Sequence, residues 1–265
     1  MDPKTNLVIT QQFVRRLIKK AGKILKNYFY SDNIIRKEKA GVDFTTEADQ
    51  EVDKFLQSKI KSRYVKSNFL TEETAPKDYS SLSDTENLWV IDPLDGTINF
   101  SRKHPNFSIS IALMHKGEII LGTIYVPLED KLYEAMKNRE GSYLNNKRIY
   151  TSETSALRET VIACDWAWDL EKRKNVIRWI EYLSGQIRQV KSMGSAAADL
   201  ASLAEGKIDA YIHSGLKPWD VAAAGIIIPK ADGIITLPNG STWSPFDSDI
   251  LASNGILNKK MLELI

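Results

Sequence analysis

The chain has 265 residues, and its 43% hydrophobic and 26% charged residues are ordinary for a globular protein, which excludes a disordered or collagen-like chain. Its formal net charge of +2 gives no indication of a nucleic acid polymer as a partner, and its single cysteine excludes an internal disulfide and a zinc site built from cysteines. The longest apolar stretch, residues 221–228, is too short to span a bilayer, and the sequence does not open with a basic segment followed by an apolar one. We therefore expect a cytoplasmic protein without a membrane partner.

The N-terminal part predicts two helices that each bury one face. Apolar residues recur at helical spacing between residues 13 and 28, with lysines and arginines on the opposite face, which we expect to be solvated. Gly41 interrupts this pattern. A second helix follows with Val52 and Phe55 among its inward residues, and the segment from Thr46 to Asp49 fits the capping pattern of a helix start.

The middle of the chain predicts a sheet. Short apolar runs at residues 68–70 and 88–91 are typical of buried strands, and residues 108–114 and 119–126 predict a hairpin. Two further stretches, 132–136 and 141–149, extend this sheet in antiparallel fashion.

Strands and helices alternate from about residue 151. The predicted strands are 160–164, 187–190 and 210–213, and the predicted helices are 170–183, 195–204 and 219–228. The sequence thus predicts an α+β protein of two α/β lobes, an N-terminal lobe of residues 1–150 and a C-terminal lobe of residues 151–265.

The most informative segment is Trp89-Val-Ile-Asp92-Pro-Leu-Asp95-Gly-Thr97, in which a predicted buried strand ends in two aspartates. The intervening proline fixes its own φ, and the glycine lets the backbone approach a ligand, so the turn would hold both carboxylates at one edge. Carboxylates that close repel each other unless a cation lies between them. On these residues alone, the alternative is a surface turn whose aspartates make only local hydrogen bonds.

Other acidic residues stand at similar places in the chain. Glu72 and Glu73 follow a predicted strand, Asp220 precedes an apolar helix, and Asp49 lies near a helix start. Each also has a purely structural interpretation, as a loop charge or as a favourable charge at a helix start. Spacing does not prove that these regions meet in space.

The sequence lacks the patterns of competing chemistries. It contains no G-x-x-x-x-G-K-[ST], G-x-S-x-G or H-E-x-x-H pattern, and its three histidines are not spaced as zinc ligands. Oxygen ligands without histidine or thiolate suit a hard cation, Mg²⁺ or Mn²⁺, and such cations held by carboxylates commonly act on phosphates.

Two segments together resemble the inositol monophosphatase family of Mg²⁺-dependent, lithium-sensitive phosphatases. Trp89-Val-Ile-Asp-Pro-Leu-Asp-Gly-Thr-Ile-Asn-Phe100 is similar to the first family signature, and Lys217-Pro-Trp-Asp-Val-Ala-Ala-Ala-Gly225 is similar to the second. The Glu72-Glu73 pair, the segment from Thr45 to Asp49 and the turn Gly194-Ser-Ala196 occur in the expected order, so the resemblance covers nearly the whole chain. It implies a layered α/β/α/β/α sandwich with the site between the two lobes, and a homodimer.

The resemblance also implies roles for individual residues. It makes Glu72, Thr97 and Asp49 the groups that orient and deprotonate the attacking water. It assigns the following metal ligands: Glu72, Asp92, the carbonyl of Leu94, Asp95 and Asp220. It assigns the following substrate contacts: Asp95, Gly96, Thr97, Gly194, Ser195, Ala196, His213 and Asp220. Of these, Gly96 and Thr97 would offer backbone N–H groups to a phosphate at a helix start.

The implied substrate is a small phosphorylated metabolite, and the implied cofactor is Mg²⁺, two or three ions per site, with Mn²⁺ as a possible substitute. Bound cations would offset the repulsion between a phosphate dianion and the carboxylates, and would lower the pKa of a bound water. We expect direct in-line attack by water without a phosphoenzyme, because no activated serine, cysteine or histidine nucleophile is evident.

Two positions depart from the family pattern. His213 stands where inositol-specific members are expected to place a glutamate near the sugar hydroxyls, which weakens the prediction of myo-inositol as substrate. Asn138-Arg-Glu140 replaces small, glycine-rich residues, and we expect it to alter a hairpin and not the chemistry. Among basic residues near the predicted cleft, Lys39 could bind phosphate or be merely solvated.

Three alternatives to an inositol-1-monophosphatase remain open. The first is a sibling activity on histidinol phosphate, fructose 1,6-bisphosphate or 3′-phosphoadenosine 5′-phosphate; the last is less favoured because Ile98-Asn-Phe100 is closer to the inositol phosphatase type. The second is a haloacid-dehalogenase-like phosphatase, which needs one residue between its paired aspartates, where Asp92 and Asp95 have two. The third is a non-catalytic scaffold, which would have no physical reason to keep mutually repelling acids.

Overall fold

The computed structural model describes residues 2–3, 6–31, 36–38 and 44–265, so Lys39 and Gly41 lie outside the described residues. The helices are α1 (Leu7–Tyr30), α2 (Glu47–Arg63), α3 (Thr97–Ser101), α4 (Leu170–Leu183), α5 (Ala196–Ala204), α6 (Pro218–Val221), α7 (Ala224–Ile227) and α8 (Asn258–Leu262). Within the described residues, no helix is both long enough and apolar enough to cross a bilayer.

The strands form two large sheets and one small one. They are β1 (Arg36–Glu38), β2 (Phe44–Thr46), β3 (Asn68–Thr71), β4 (Leu88–Asp95), β5 (Ser108–His115), β6 (Glu118–Val126), β7 (Lys131–Met136), β8 (Ser142–Leu144), β9 (Lys147–Ile149), β10 (Val161–Ala163), β11 (Gln189–Lys191), β12 (Ala210–Ser214), β13 (Ile234–Thr236) and β14 (Asp249–Ser253). Strands β1 and β2 pair with each other.

The first large sheet has the order β3-β4-β5-β6-β7-β8-β9, parallel only between β3 and β4. The second has the order β11-β10-β12-β14-β13, in which β10 runs parallel to both of its neighbours and the other pairs are antiparallel. The first sheet ends at Ile149 and the second begins at Val161, close to the boundary between the predicted lobes. That division into lobes stays a prediction.

Three apolar clusters arrange these elements in five layers. Alternate residues of β4 point to opposite faces of the first sheet, so Trp89 packs against α1 and α2 while Val90 packs against α5, α6 and α7. The same three inner helices contact the second sheet through residues such as Tyr211, and the far face of that sheet packs against α4 and α8. The predicted α/β/α/β/α sandwich is therefore confirmed.

One predicted helix is wrong in its continuity. The pattern predicted a single helix over 219–228, but the structure has α6 and α7 with a break in α-helical hydrogen bonding between them. The break lies where the helix packs closely against β6, because a Cβ on Gly122 of β6 would lie 2.4 Å from the carbonyl oxygen of Ala223. The backbone keeps helical angles, but Ile226 N donates to Ala223 O across only three residues, at 3.4 Å. The predicted strand at 187–190 is displaced to Gln189–Lys191.

Candidate active site

The two aspartates of the first signature lie at the end of β4, where the strand becomes irregular. The pairing of β4 with β5 shifts its register between Asp92 and Asp95, and the backbone N–H of Leu94 donates to Asp92 Oδ1 at 3.0 Å. Both side chains are buried. The strand thus ends in a kinked segment that keeps both carboxylates inside the protein.

Gly96 connects this strand to the short helix α3 and could not be replaced by a larger residue without strain. Its φ is +90°, in the left-handed region that favours glycine. A Cβ at this position would lie 3.0 Å from the carbonyl oxygens of Asn106 and Gly194. The turn after the first signature is therefore packed directly against the Gly194 turn, about a hundred residues further along the chain.

A side-chain amide strengthens this junction. Asn99 Nδ2 lies 2.7 Å from the carbonyl oxygens of both Asn106 and Met193, and Asn106 Nδ2 donates to the same Met193 oxygen at 2.8 Å. These bonds tie α3 to the segment that leads into α5. The structure thus places Gly96 next to Gly194 and Ser195.

Asp95 is held by hydrogen bonds from both regions. Its Oδ2 accepts bonds from the backbone N–H of Ala197 at 2.8 Å and from the hydroxyls of Ser195 and Ser108. Burial still raises the pKa of Asp95, although these donors oppose the shift. Since the three bonds use Oδ2, the other oxygen is the one that they leave to bind a ligand.

The predicted metal ligands come from three parts of the chain, the end of β4, the residue after β3 and α6, and their carboxylates interact electrostatically. Burial raises the pKa of Asp92 well above its usual value, and the charge of Glu72 contributes next to this shift. Burial and the charge of Asp95 likewise raise the pKa of Asp220, whose Oδ2 accepts a bond from Lys217 N at 2.7 Å. The four acids therefore lie close enough to oppose each other's ionisation.

In the described part of the chain, these carboxylates do not surround a position that a metal ion could occupy. Within the described part of the chain, no three His, Cys, Asp or Glu side chains converge closely enough to hold a metal ion as they stand. The carbonyl oxygen of Leu94 accepts a bond from the Thr97 hydroxyl at 3.1 Å. Even so, the donor chemistry fits a hard divalent cation, because the residues that raise the pKa of Asp92 supply only carboxylates.

Asp49 has both a structural and a site-directed contact. Its Oδ2 accepts a bond from Thr46 N at 2.9 Å and completes the capping box of α2, as the sequence predicted. Its Oδ1 accepts a bond from the Thr97 hydroxyl at 3.1 Å. Burial raises the pKa of Asp49 to about 6. The helix start therefore positions a carboxylate that reaches the residue after Gly96.

His213 lies on β12, buried and stacked on Tyr211 with a ring separation of 6.2 Å and an interplanar angle of 5°. Burial lowers its pKa to about 4, so the imidazole is neutral at neutral pH, and its Nδ1 has no hydrogen-bond partner within the described residues. A glutamate here would be an anionic acceptor, whereas this side chain is uncharged. Among the residues that the structure describes, no hydrogen bond joins His213 to the 92–97 segment.

Sequence reasoning missed a second acidic pair beside the Gly194 turn. Asp165 Oδ1 accepts bonds from Gly194 N at 3.0 Å and from Ser192 Oγ at 2.7 Å. Burial, with the charge of Asp165, raises the pKa of Asp199 to about 9, so Asp199 is protonated at neutral pH. The one sequence feature that could have indicated this pair was the acidic residue Asp199 in α5, a helix made mostly of small and apolar residues. No sequence feature indicated Asp165.

Comparisons with known proteins agree with the fold. The model of the inositol monophosphatase family matches residues 9–265. This chain belongs to the inositol monophosphatase family. The inositol-1-monophosphatase of Bacillus subtilis (strain 168) is 31% identical over 98% of this chain and 97% of that protein. The fructose-1,6-bisphosphatase/inositol-1-monophosphatase of Thermotoga maritima is 30% identical over 96% and 94%, respectively.

Solved structures show the same architecture. The extragenic suppressor protein suhB from Bartonella henselae has a TM-score of 0.88 and 28% identity over 97% of this chain and 98% of that one. Membership in the inositol monophosphatase family makes this protein a phosphatase, a phosphoric monoester hydrolase that acts on small phosphorylated substrates, and the family is generally metal-dependent. The predictions of family, fold and enzyme class are confirmed.

Proposed function

We propose that this family member hydrolyses inositol 1-phosphate with Mg²⁺ as its cofactor. Glu72, Asp92, Asp95 and Asp220, with the carbonyl of Leu94, would hold two or three ions, and Mn²⁺ would substitute. The observation that carries the proposal is the packing of Gly96 against Gly194, since it joins the acidic strand end to the turn predicted to border the substrate. Sequence similarity to an inositol-1-monophosphatase supports the choice of substrate.

Mg²⁺ at these carboxylates would lower the pKa of a bound water and offset the negative charge of the phosphate and the leaving alkoxide. Residues of the protein itself would orient and deprotonate the attacking water and bind the phosphate. Thr97 and Asp49, linked by their hydrogen bond, would orient the attacking water, and Glu72 would take its proton. Backbone N–H groups of Gly96 and Thr97 would bind phosphate oxygens.

The second turn would recognise the rest of the substrate. Gly194, Ser195 and Ala196 would line the ring, and Asp220 and His213 would contact its hydroxyls. Most of the metal ligands belong to residues 1–150, whereas Asp220 comes from residues 151–265, so the site would lie between two lobes. We further propose that the enzyme is a cytoplasmic homodimer with no nucleic acid or membrane partner.

A second candidate substrate, fructose 1,6-bisphosphate, is favoured by one observation. The buried, neutral His213 occupies the position at which a glutamate is expected in inositol-specific members. An uncharged imidazole needs fewer sugar hydroxyls to donate hydrogen bonds to it than an anionic glutamate does. Histidinol phosphate and 3′-phosphoadenosine 5′-phosphate remain sibling alternatives on the same chemistry.

A phosphate-release assay tests the proposal. We expect inositol 1-phosphate to give the highest kcat/KM among these four substrates with Mg²⁺, and excess EDTA to abolish turnover until Mg²⁺ is restored. The Asp92→Asn variant, with an unchanged circular dichroism spectrum, serves as the control for a contaminating phosphatase. A higher kcat/KM for fructose 1,6-bisphosphate would support the second candidate, and activity that persists after exhaustive chelation would refute the metal mechanism.

A further inference from the structure

A groove on the outer helical layer combines an apolar floor with a basic rim. It lies between α1 and α2 and has a volume of about 430 Å³. The lining residues are Phe13, Arg16, Leu17, Lys20, Phe55, Lys59, Ser62 and Arg63. This lining includes four cationic side chains and no acidic one. The phosphatase site does not use it, because Lys59 stands ten residues beyond Asp49 on α2, about 15 Å along the helix axis.

The four cations form two short rows. Arg16 and Lys20 are four residues apart on α1, and Lys59 and Arg63 are four residues apart on α2. Four residues correspond to about 6 Å along a helix, so each row presents two positive charges at one-turn spacing. The groove thus offers charges on both sides of its apolar floor.

Within the described part of the chain, these charges are not neutralised by ion pairs. Among the residues that the structure describes, none of the four forms an ion pair. Their neighbours on α1 differ: Arg15 pairs with the buried Glu134, and Lys19 lies 3.2 Å from Asp130. On one side of α1, Arg15 and Lys19 therefore form ion pairs that attach the helix to the sheet region. On the side that faces α2, the basic side chains can pair with a partner.

The aromatic ring in the floor is covered, which bears on the type of partner. The Phe13 ring contacts the edge of Tyr64 at 5.6 Å, and the Arg63 guanidinium lies over it at 5.0 Å from the ring centre. Arg63 is itself held by a bond from its Nε to Tyr64 Oη at 3.2 Å. A ring covered in this way is a poor platform for stacking nucleic acid bases. A flat anionic membrane would not use a recessed apolar floor either.

We propose that this groove binds an acidic amphipathic helix of a partner protein. Apolar side chains of that helix would contact Leu17 and Phe55, and acidic side chains one turn apart would pair with the two basic rows. The interaction is separate from the phosphatase site and does not depend on the identity of the substrate.

A designed peptide tests this assignment with the full-length protein. The probe is a fluorescein-labelled helical peptide with leucines along one face and glutamates on both sides of that face; a matched peptide replaces the glutamates with glutamines. We expect binding of the glutamate peptide, measured by fluorescence anisotropy, to weaken with added salt. The glutamine peptide should bind at least about tenfold more weakly.

A pair of matched variants locates the site. The groove variant is Lys20→Glu with Lys59→Glu; the control variant is Lys23→Glu with Lys61→Glu, which makes the same charge change on exposed residues of the same two helices outside the lining. The groove variant should lose at least about tenfold in affinity and the control less than about twofold. Both should keep the wild-type circular dichroism spectrum and phosphatase activity.

Several outcomes would overturn the proposal. These are no binding of the glutamate peptide, equal losses in the two variants, or groove-dependent binding of single-stranded RNA or of vesicles containing an anionic lipid in preference to the peptide. A loss of phosphatase activity in these variants would count against the proposed phosphatase site and not against the groove, because none of the four substituted lysines belongs to that site.

Discussion

At the scale of single residues, the acids near the Gly194 turn differ in how far hydrogen bonds oppose the effect of burial on their pKa. Asp95 receives three hydrogen-bond donors, which stabilise its ionised form against the cost of burial. Burial and the charge of Asp165 raise the pKa of Asp199 to about 9, so Asp199 keeps its proton. Two buried carboxyls can then lie near Gly194 because Asp199 is neutral.

This pairing predicts a pH-dependent stability. The pKa of Asp199 is raised from 3.8 to about 9 in the folded protein, so the folded chain keeps a proton that the unfolded chain loses above about pH 4. The free energy of unfolding should therefore fall as the pH rises from about 4 to about 9, by up to about 1.4 kcal/mol per pH unit from this residue. Asp199→Asn, which cannot ionise, should remove this contribution.

Urea unfolding in EDTA at pH 5, 6.5 and 8 measures the effect. The stability of Asp199→Asn relative to the wild type should increase with pH. The exposed Asp84 offers a control, since Asp84→Asn should follow the wild-type pH dependence. Parallel curves for the wild type and Asp199→Asn would show that Asp199 is ionised in the folded protein.

At the scale of elements, the site depends on one close contact between two turns. Gly96→Ala should destabilise the protein for two reasons, the positive φ and the collision with the carbonyl oxygens of Asn106 and Gly194. Gly117→Ala is the matched control, because Gly117 has a φ of +78° but its nearest contact to an added Cβ is 3.7 Å. The difference between the two variants isolates the packing between the turns.

We expect Gly96→Ala to cost about 1–3 kcal/mol more than Gly117→Ala in chemical unfolding. It should also lower kcat, because the displaced Gly194 turn would no longer border the substrate correctly, while Gly117→Ala should keep wild-type kcat and KM. Equal stability losses and equal activities in the two variants would mean that the two turns do not depend on each other.

The sequence revealed those features whose information is local. Asp92 and Asp95 stand three residues apart at a strand end, and the capping box of Asp49 lies within four residues, so both could be found by reading the chain. By contrast, the five-residue helix α3 depends on the hydrogen bond from Asn99 to Met193. The role of Asp165 follows only from its hydrogen bond with Gly194, 29 residues away. Strands β13 and β14 were missed as well, since β14 depends on pairing with β12 and β13 on pairing with β14.

At the scale of the whole molecule, the proposed metal site joins the two sheets. Asp92 belongs to a strand of the first sheet, and Asp220 lies on α6, which directly follows a strand of the second. Burial raises the pKa of both residues, and their mutual repulsion opposes the close approach of these elements. A bound divalent cation would reverse this repulsion, so folding and metal binding should be thermodynamically linked.

Adding Mg²⁺ should therefore raise the Tm of the wild-type protein. At a free concentration of 100 times Kd, the linkage amounts to about 2.7 kcal/mol. Asp220→Asn should lose most of this rise together with its phosphatase activity, yet in EDTA it should be at least as stable as the wild type, because one repelling charge has been removed. Differential scanning calorimetry in EDTA and in Mg²⁺ measures both effects. If Mg²⁺ stabilised the two proteins equally, Asp220 would not be a ligand, and the ions would have to bind within the first sheet alone.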